Sequence, residues 1–136
     1  MASAVVQLAI LTGHPEADIS LSIVWIPMLE GDTEAAARQA AEQFLPDPRV
    51  RHFYDPDRRA GKAIAQSLGG GEGEVAWDIY LFYERGDEWD RVPPLPIDWM
   101  HQLVATSWAD AARHHRGDDL AKQIYQSMAR LIGAQA

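Results

Sequence analysis

The stretch Val50-Arg51-His52-Phe53-Tyr54-Asp55-Pro56-Asp57, continued by Arg58-Arg59-Ala60-Gly61-Lys62-Ala63-Ile64-Ala65-Gln66-Ser67-Leu68, decides the fold class. Its first five residues hold a valine and two aromatics, which suit a pleated, half-buried strand. Asp55 then stands as a helix N-cap, Pro56 at the first helical position and Asp57 in the electropositive first turn. Ala60, Ile64 and Leu68 follow on one face, with Ala63 beside them. That spacing predicts an amphipathic helix. A strand that runs through a cap into a helix is half of an α/β unit.

Working outward, Ile19 to Pro27 alternates and then becomes continuously apolar, the pattern of a strand entering a core. Glu30-Gly31-Asp32 is a turn, and Asp32 is positioned to cap an alanine-rich helix from Thr33 to Phe44. Val75 to Tyr83 is the strongest strand signal in the chain, with a turn at Arg85-Gly86-Asp87 and a returning edge strand at Trp89 to Val92. Pro93-Pro94-Leu95-Pro96 reads as a stiff extended connector. Two helices are expected to close the chain, from Asp98 to His115 and from Asp118 through Leu120, Ile124, Met128 and Leu131. At the other end, Val5 to Leu11 is an apolar run that reads as a buried strand, with a helical turn as the alternative. The expected order is β–β–α–β–α–β–β–α–α: one α/β domain over residues 1–136, with a mixed sheet flanked by helices.

Bulk properties narrow the function. The 136 residues are 47% hydrophobic and 24% charged, the mix of an ordinary globular chain. There is no cysteine, so thiol redox chemistry, disulfides and thiolate metal sites are excluded. The net charge is −8 and no basic run exceeds Arg58-Arg59, which argues against nucleic acid or an anionic membrane as partner. No apolar run approaches a membrane span, and no positively charged leader precedes the first apolar run. A soluble, cytoplasmic protein is the expectation.

The element order resembles the thioredoxin fold. Ile23-Val24-Trp25-Ile26-Pro27-Met28-Leu29 resembles the strand and loop before the first helix of such a domain, Val50 to Leu68 the strand and helix that follow, and Ala76-Trp77-Asp78-Ile79-Tyr80-Leu81-Phe82 the third strand. The segments Trp77-Asp78-Ile79-Tyr80-Leu81-Phe82-Tyr83 and Trp99-Met100-His101-Gln102-Leu103 are similar to uncharacterised bacterial thioredoxin-like proteins. The resemblance covers roughly residues 19 to 110 and implies a thioredoxin-like fold with extra C-terminal helices. It departs where the family's chemistry lies. Ile26 to Asp32 holds no Cys-x-x-Cys, and Val75-Ala76-Trp77 lacks the proline the family carries before its third strand. Redox activity is therefore not carried over.

The candidate residues lie on the loops after the strands, the edge where open α/β sheets bind ligands. Asp32, Asp55 and Asp78, with His101, are the catalytic candidates, because paired carboxylates divide acid and base roles. For Asp32 and Asp55, helix capping alone explains the placement and is the favoured reading. Trp25, Pro27, Tyr54, Trp77 and Trp99 are candidates to line an apolar ligand pocket, and the tryptophans alternatively fill the core. No metal or cofactor is expected. Among the histidines, His114 and His115 suit the end of the expected helix better than a metal. Gly69 to Gly73 runs from helix to strand, the reverse of a phosphate loop. The leading expectation is a non-redox domain binding a protein partner, a second copy of itself or a small apolar molecule. The alternatives are a small carboxylate/histidine enzyme and a structural homodimer subunit, the latter using Trp89 and the Pro93–Pro96 segment.

Overall fold

The computed structural model describes residues 2–104 and 106–135. The chain opens with a helix, α1 (Ala2–Val6), that continues as a π-helix over Gln7–Thr12. There follow β1 (Leu21–Trp25), α2 (Glu34–Glu42), β2 (Val50–Tyr54), α3 (Arg59–Ser67), β3 (Ile79–Phe82), β4 (Asp98–His101), a 3₁₀ turn (Ala111–Arg113) and α4 (Gly117–Gln135). The fold is mixed α/β. β1 and β2 pair in parallel, Leu21 opposite Val50 and Trp25 opposite Tyr54. β3 and β4 pair antiparallel, Ile79 opposite His101. The expected single mixed sheet is two small sheets, with no ladder joining them among the described residues.

The Val5–Leu11 segment is helical where a strand was expected. Val6, Ala9, Ile10 and Leu11 are all buried and pack with Leu120, Ile124 and Met128 of α4. The wider π-turn lets consecutive residues face the core. The expected helix over Asp98–His115 is also overturned. Its first four residues pair with β3, and the 3₁₀ turn is the only helical turn in the rest among the described residues. The return strand is therefore β4, and Trp89–Val92 is an exposed loop. One C-terminal helix, α4, remains of the expected two, and it buries Leu120, Ile124 and Met128.

β3 is shorter than Val75–Tyr83 because Val75–Asp78 runs against α3, where Ala76 N–H donates to Gly61 O at 2.9 Å. Gly61 is required there: a Cβ would lie 2.6 Å from Val75 Cγ1 and 2.9 Å from Ala76 O. β3 divides the interior between two clusters. Tyr80 and Phe82 join the main core, beneath the inner face of β1–β2. Ile79 and Leu81 pack with Ile64, Ala65, Ala76 and Trp108.

Arg49 locks the first helix to β2. Its guanidinium donates to the carbonyls of His14 (2.8 Å), Ala17 (3.2 Å) and Leu11 (3.3 Å), and to both oxygens of Asp47. The Leu11 carbonyl lies in the last turn of the helix, where carbonyls lack intrahelical partners, and those of His14 and Ala17 lie in the loop that follows.

Candidate functional site

Two loops meet at the carboxyl ends of β1 and β2. Asp55 N–H donates to Trp25 O at 2.9 Å, and Arg58 Nε donates to Pro27 O at 2.8 Å. Arg58 holds a left-handed backbone, φ 57°, which turns its side chain back onto the first loop. The Asp55 carboxylate accepts from the N–H groups of Arg59 and Ala60 (2.9 and 2.8 Å), so it caps α3 from outside a turn that contains Pro56. Asp32 does not cap α2; Thr33 does, through Ala36 N–H at 3.1 Å. The Asp32 carboxylate instead accepts from Met28 and Leu29 N–H (3.0 and 2.7 Å), closing the loop upon itself.

Asp78 stands immediately before β3 with φ 49°, a left-handed conformation that Asp tolerates better than most residues. Although the residue as a whole is exposed, partial desolvation of its carboxyl pushes it above the ordinary range, and the charge of Asp32 adds a smaller push the same way. Beside it, Tyr80 is pushed up to about 12, by burial first and by Asp78 second. Tyr80 Oη accepts from Gln102 Nε2 at 2.9 Å.

His101 is used differently. It is 1% exposed, its Nδ1 accepts from Leu103 N–H at 3.0 Å, and its Nε2–H donates to Asp110 O at 2.8 Å. Both ring nitrogens are committed to backbone, which ties β4 to the segment before α4. A base needs a free lone pair, and this ring has none to offer.

The five candidate pocket residues are spread through the fold. Trp25 turns inward, donating Nε1–H to His52 at 3.2 Å and meeting Phe44 edge-on. Burial lowers the His52 pKa, which suits its acceptor role. Trp99 is buried, stacks on Trp108 and lies 5.0 Å beneath the Arg113 guanidinium. Trp77 is half-buried and joins no aromatic pair among the described residues. Pro27 serves through its carbonyl, while Tyr54 lines one surface cavity and Trp99 another, so the five do not share a pocket.

Sequence reasoning missed two features. One is a polar cleft of about 310 Å³ between β4 and α4, centred on Asp98. Burial alone would raise the Asp98 carboxyl, but hydrogen bonds from Ser127, Trp99 N–H, Arg113 and Arg130 outweigh it and hold the group below the usual range. A carboxylate so held is a weak base, and no histidine contacts Ser127 among the described residues, so the serine lacks an activating partner. Among the described residues no three His, Asp or Glu side chains converge as metal ligands.

The other is a groove of about 490 Å³ on the outer face of β1–β2, within the range of small-ligand sites. Alternation along the strands sends Leu21, Ile23 and Trp25 inward, and Ser22 and Val24 outward. Arg51 and Phe53 of β2 likewise face out. Val24 is 40% exposed, Phe53 49% and Trp89, which forms a wall, 47%. Arg59 and Arg91 stand at the rim. Arg51 and Arg91 form no ion pair among the described residues, and Arg59 reaches only an exposed Asp57 at 3.6 Å. Two outward apolar side chains on adjacent strands were legible in the alternation; that no layer covers them was not. No family model, curated protein or solved structure matches the chain.

Proposed function

We propose that the chain is a non-redox, thioredoxin-like interaction domain, and that the groove over Val24, Phe53, Tyr54 and Trp89 is its binding surface. The order β1–α2–β2–α3–β3–β4–α4 supports the fold, being that of thioredoxin-like domains. The observation that carries the binding role is the half-exposed apolar face of a parallel strand pair. Such faces are ordinarily covered, and exposed apolar surface rimmed by polar groups marks interaction sites. Arg91 in the lining and Arg51 beside it form no ion pair among the described residues, and the Asp55 carboxylate in the lining is taken up by the N–H groups of α3, so on a chain of net charge −8 the preferred ligand is apolar with a negative group.

The probe for this reading is anilinonaphthalene sulfonate, an apolar anion whose emission rises in such a site. At low micromolar protein, native chain should bind it saturably. The double variant Phe53→Ser, Arg91→Glu should lose at least about nine-tenths of the emission, a shift of roughly 1.4 kcal/mol or more. Far-ultraviolet circular dichroism should be unchanged. Equal emission from native chain and double variant would overturn the assignment.

A further inference from the structure

We propose that His101 is a pH-sensitive clamp: its neutral ring fastens the end of β4 to the segment before α4, and proton uptake by the ring releases that fastening. The ring makes its two contacts in opposite roles. Nδ1 accepts from Leu103 N–H at 3.0 Å, and Nε2–H donates to Asp110 O at 2.8 Å. Only a neutral imidazole with its proton on Nε2 does both. An imidazolium carries N–H on both nitrogens, which would set Nδ1–H against Leu103 N–H, donor against donor. At 1% exposure the ring has no water to turn to instead. The backbone of the same residue joins the same two segments, since His115 N–H donates to His101 O at 3.0 Å.

The titratable and charged groups around the ring are already engaged. His114 meets it edge-on at 5.5 Å, and His115 is bonded to Asp119 at 2.6 Å. The Asp110 carboxylate accepts from Ala112 N–H and lies 3.7 Å from Arg113 Nε. Arg113 and Arg130 are held at Asp98. On β3, the uncharged Ile79 stands opposite, and Asp78 before it offers its carbonyl to Gln102 N–H. Among the described residues no carboxylate accepts from the His101 ring. The ring therefore takes its proton only after Leu103 N–H has let go. The fastening is present above the ordinary imidazole range and is lost as pH falls through it. Trp108 lies in sequence between the two fastened residues, so release loosens its packing beside Ile64 and Ala65.

Amide hydrogen exchange of the native chain, read by NMR as protection factors between pH 7.5 and pH 5, tests the clamp. An opened imidazole that titrates at about 6.5 multiplies the opened population about thirtyfold across that span. Leu103 should be less protected than Ile124 in the core of α4, and its protection should fall about thirtyfold. His101→Asn keeps an acceptor for the N–H two residues on but cannot titrate, so the pH dependence at Leu103 should vanish. His114→Gln should retain it. Unchanging protection at Leu103 in the native chain overturns the clamp. So does a dependence that survives His101→Asn or disappears in His114→Gln. Equal protection of Leu103 and Ile124 at every pH would also overturn it, because release would then require the whole fold to open.

Discussion

Gly61→Ala should destabilise the protein although it improves a helix. Alanine is favoured over glycine in a helix interior by about 1 kcal/mol. Against that gain stands space. The new methyl would lie 2.6 Å from Val75 Cγ1, 2.9 Å from Ala76 O and 3.1 Å from Ile26 Cδ1. The valine methyl has some freedom. The Ala76 carbonyl does not, because the neighbouring Ala76 N–H is bonded to Gly61 O. Relieving the clash means lifting Val75–Ala76 off α3. Overpacking of this kind costs about 1–3 kcal/mol, and this site belongs in the upper half because backbone must move. The net loss should be about 1–2 kcal/mol, a melting temperature lower by roughly 3–8 °C in a domain of this size. Gly133→Ala in α4 is the control: a Cβ there meets nothing within 4 Å, and the change should raise stability by a few tenths to about 1 kcal/mol. Thermal melts of both variants by circular dichroism decide the matter. If Gly61→Ala rises in parallel with Gly133→Ala, helix propensity governs both positions and Val75–Ala76 is not seated on α3.

Arg49→Ala removes the donor shared by three carbonyls and Asp47, and should lower stability by about 2–3 kcal/mol in urea unfolding, with Arg49→Lys recovering less than half because an ammonium cannot reproduce the fork; a fully stable lysine variant would show that charge alone matters. Asp78→Asn should raise the melting temperature at pH 7 and leave it unchanged at pH 3. The folded carboxyl titrates above its unfolded value, so its ionisation costs stability as pH rises past that value, and asparagine both removes the charge and accepts the left-handed backbone; a gain of equal size at pH 3 would assign the effect to backbone alone.

How far the sequence could be read follows from where each signal is stored. Val50–Leu68 was legible because a cap, a helical period and a strand composition lie within nineteen consecutive residues. The structure keeps β2, α3 and the capping role of Asp55, but α3 starts at Arg59, which leaves both Pro56 and Asp57 outside the helix. Val5–Leu11 was not legible: an apolar run without alternation fits a strand or a buried helix, and α4, more than a hundred residues away, decides between them. Asp98–His115 failed for the same reason with the signs reversed. Trp99, Met100, Leu103, Val104 and Trp108 have helical spacing, but β3 offers a ladder to Asp98–His101, and pairing buries Trp99, Met100 and His101 together. Non-local pairing leaves little trace in local periodicity. His101 illustrates the cost for site reading, since its chemistry depends on Leu103 N–H and Asp110 O rather than on its neighbours' polarity.

The misread helix bears on the candidate site as well. A parallel strand pair needs a layer on each face to be fully covered. Here the first helix and α4 both pack beneath the inner face, against Leu21, Ile23 and Val50. Helix α3 spends its apolar side on Ala76 and Leu81, presenting Ala60 and Ala63 to the groove. A helix at Asp98–His115 would have supplied a further layer; as β4 it extends β3 instead. Among the described residues no element covers Val24 and Phe53, and Val92, Leu95 and Ile97 are likewise exposed. Covering Val24 and Phe53 with an apolar partner would remove from water a surface that the fold itself leaves exposed, and that is the physical reason for reading the binding role there.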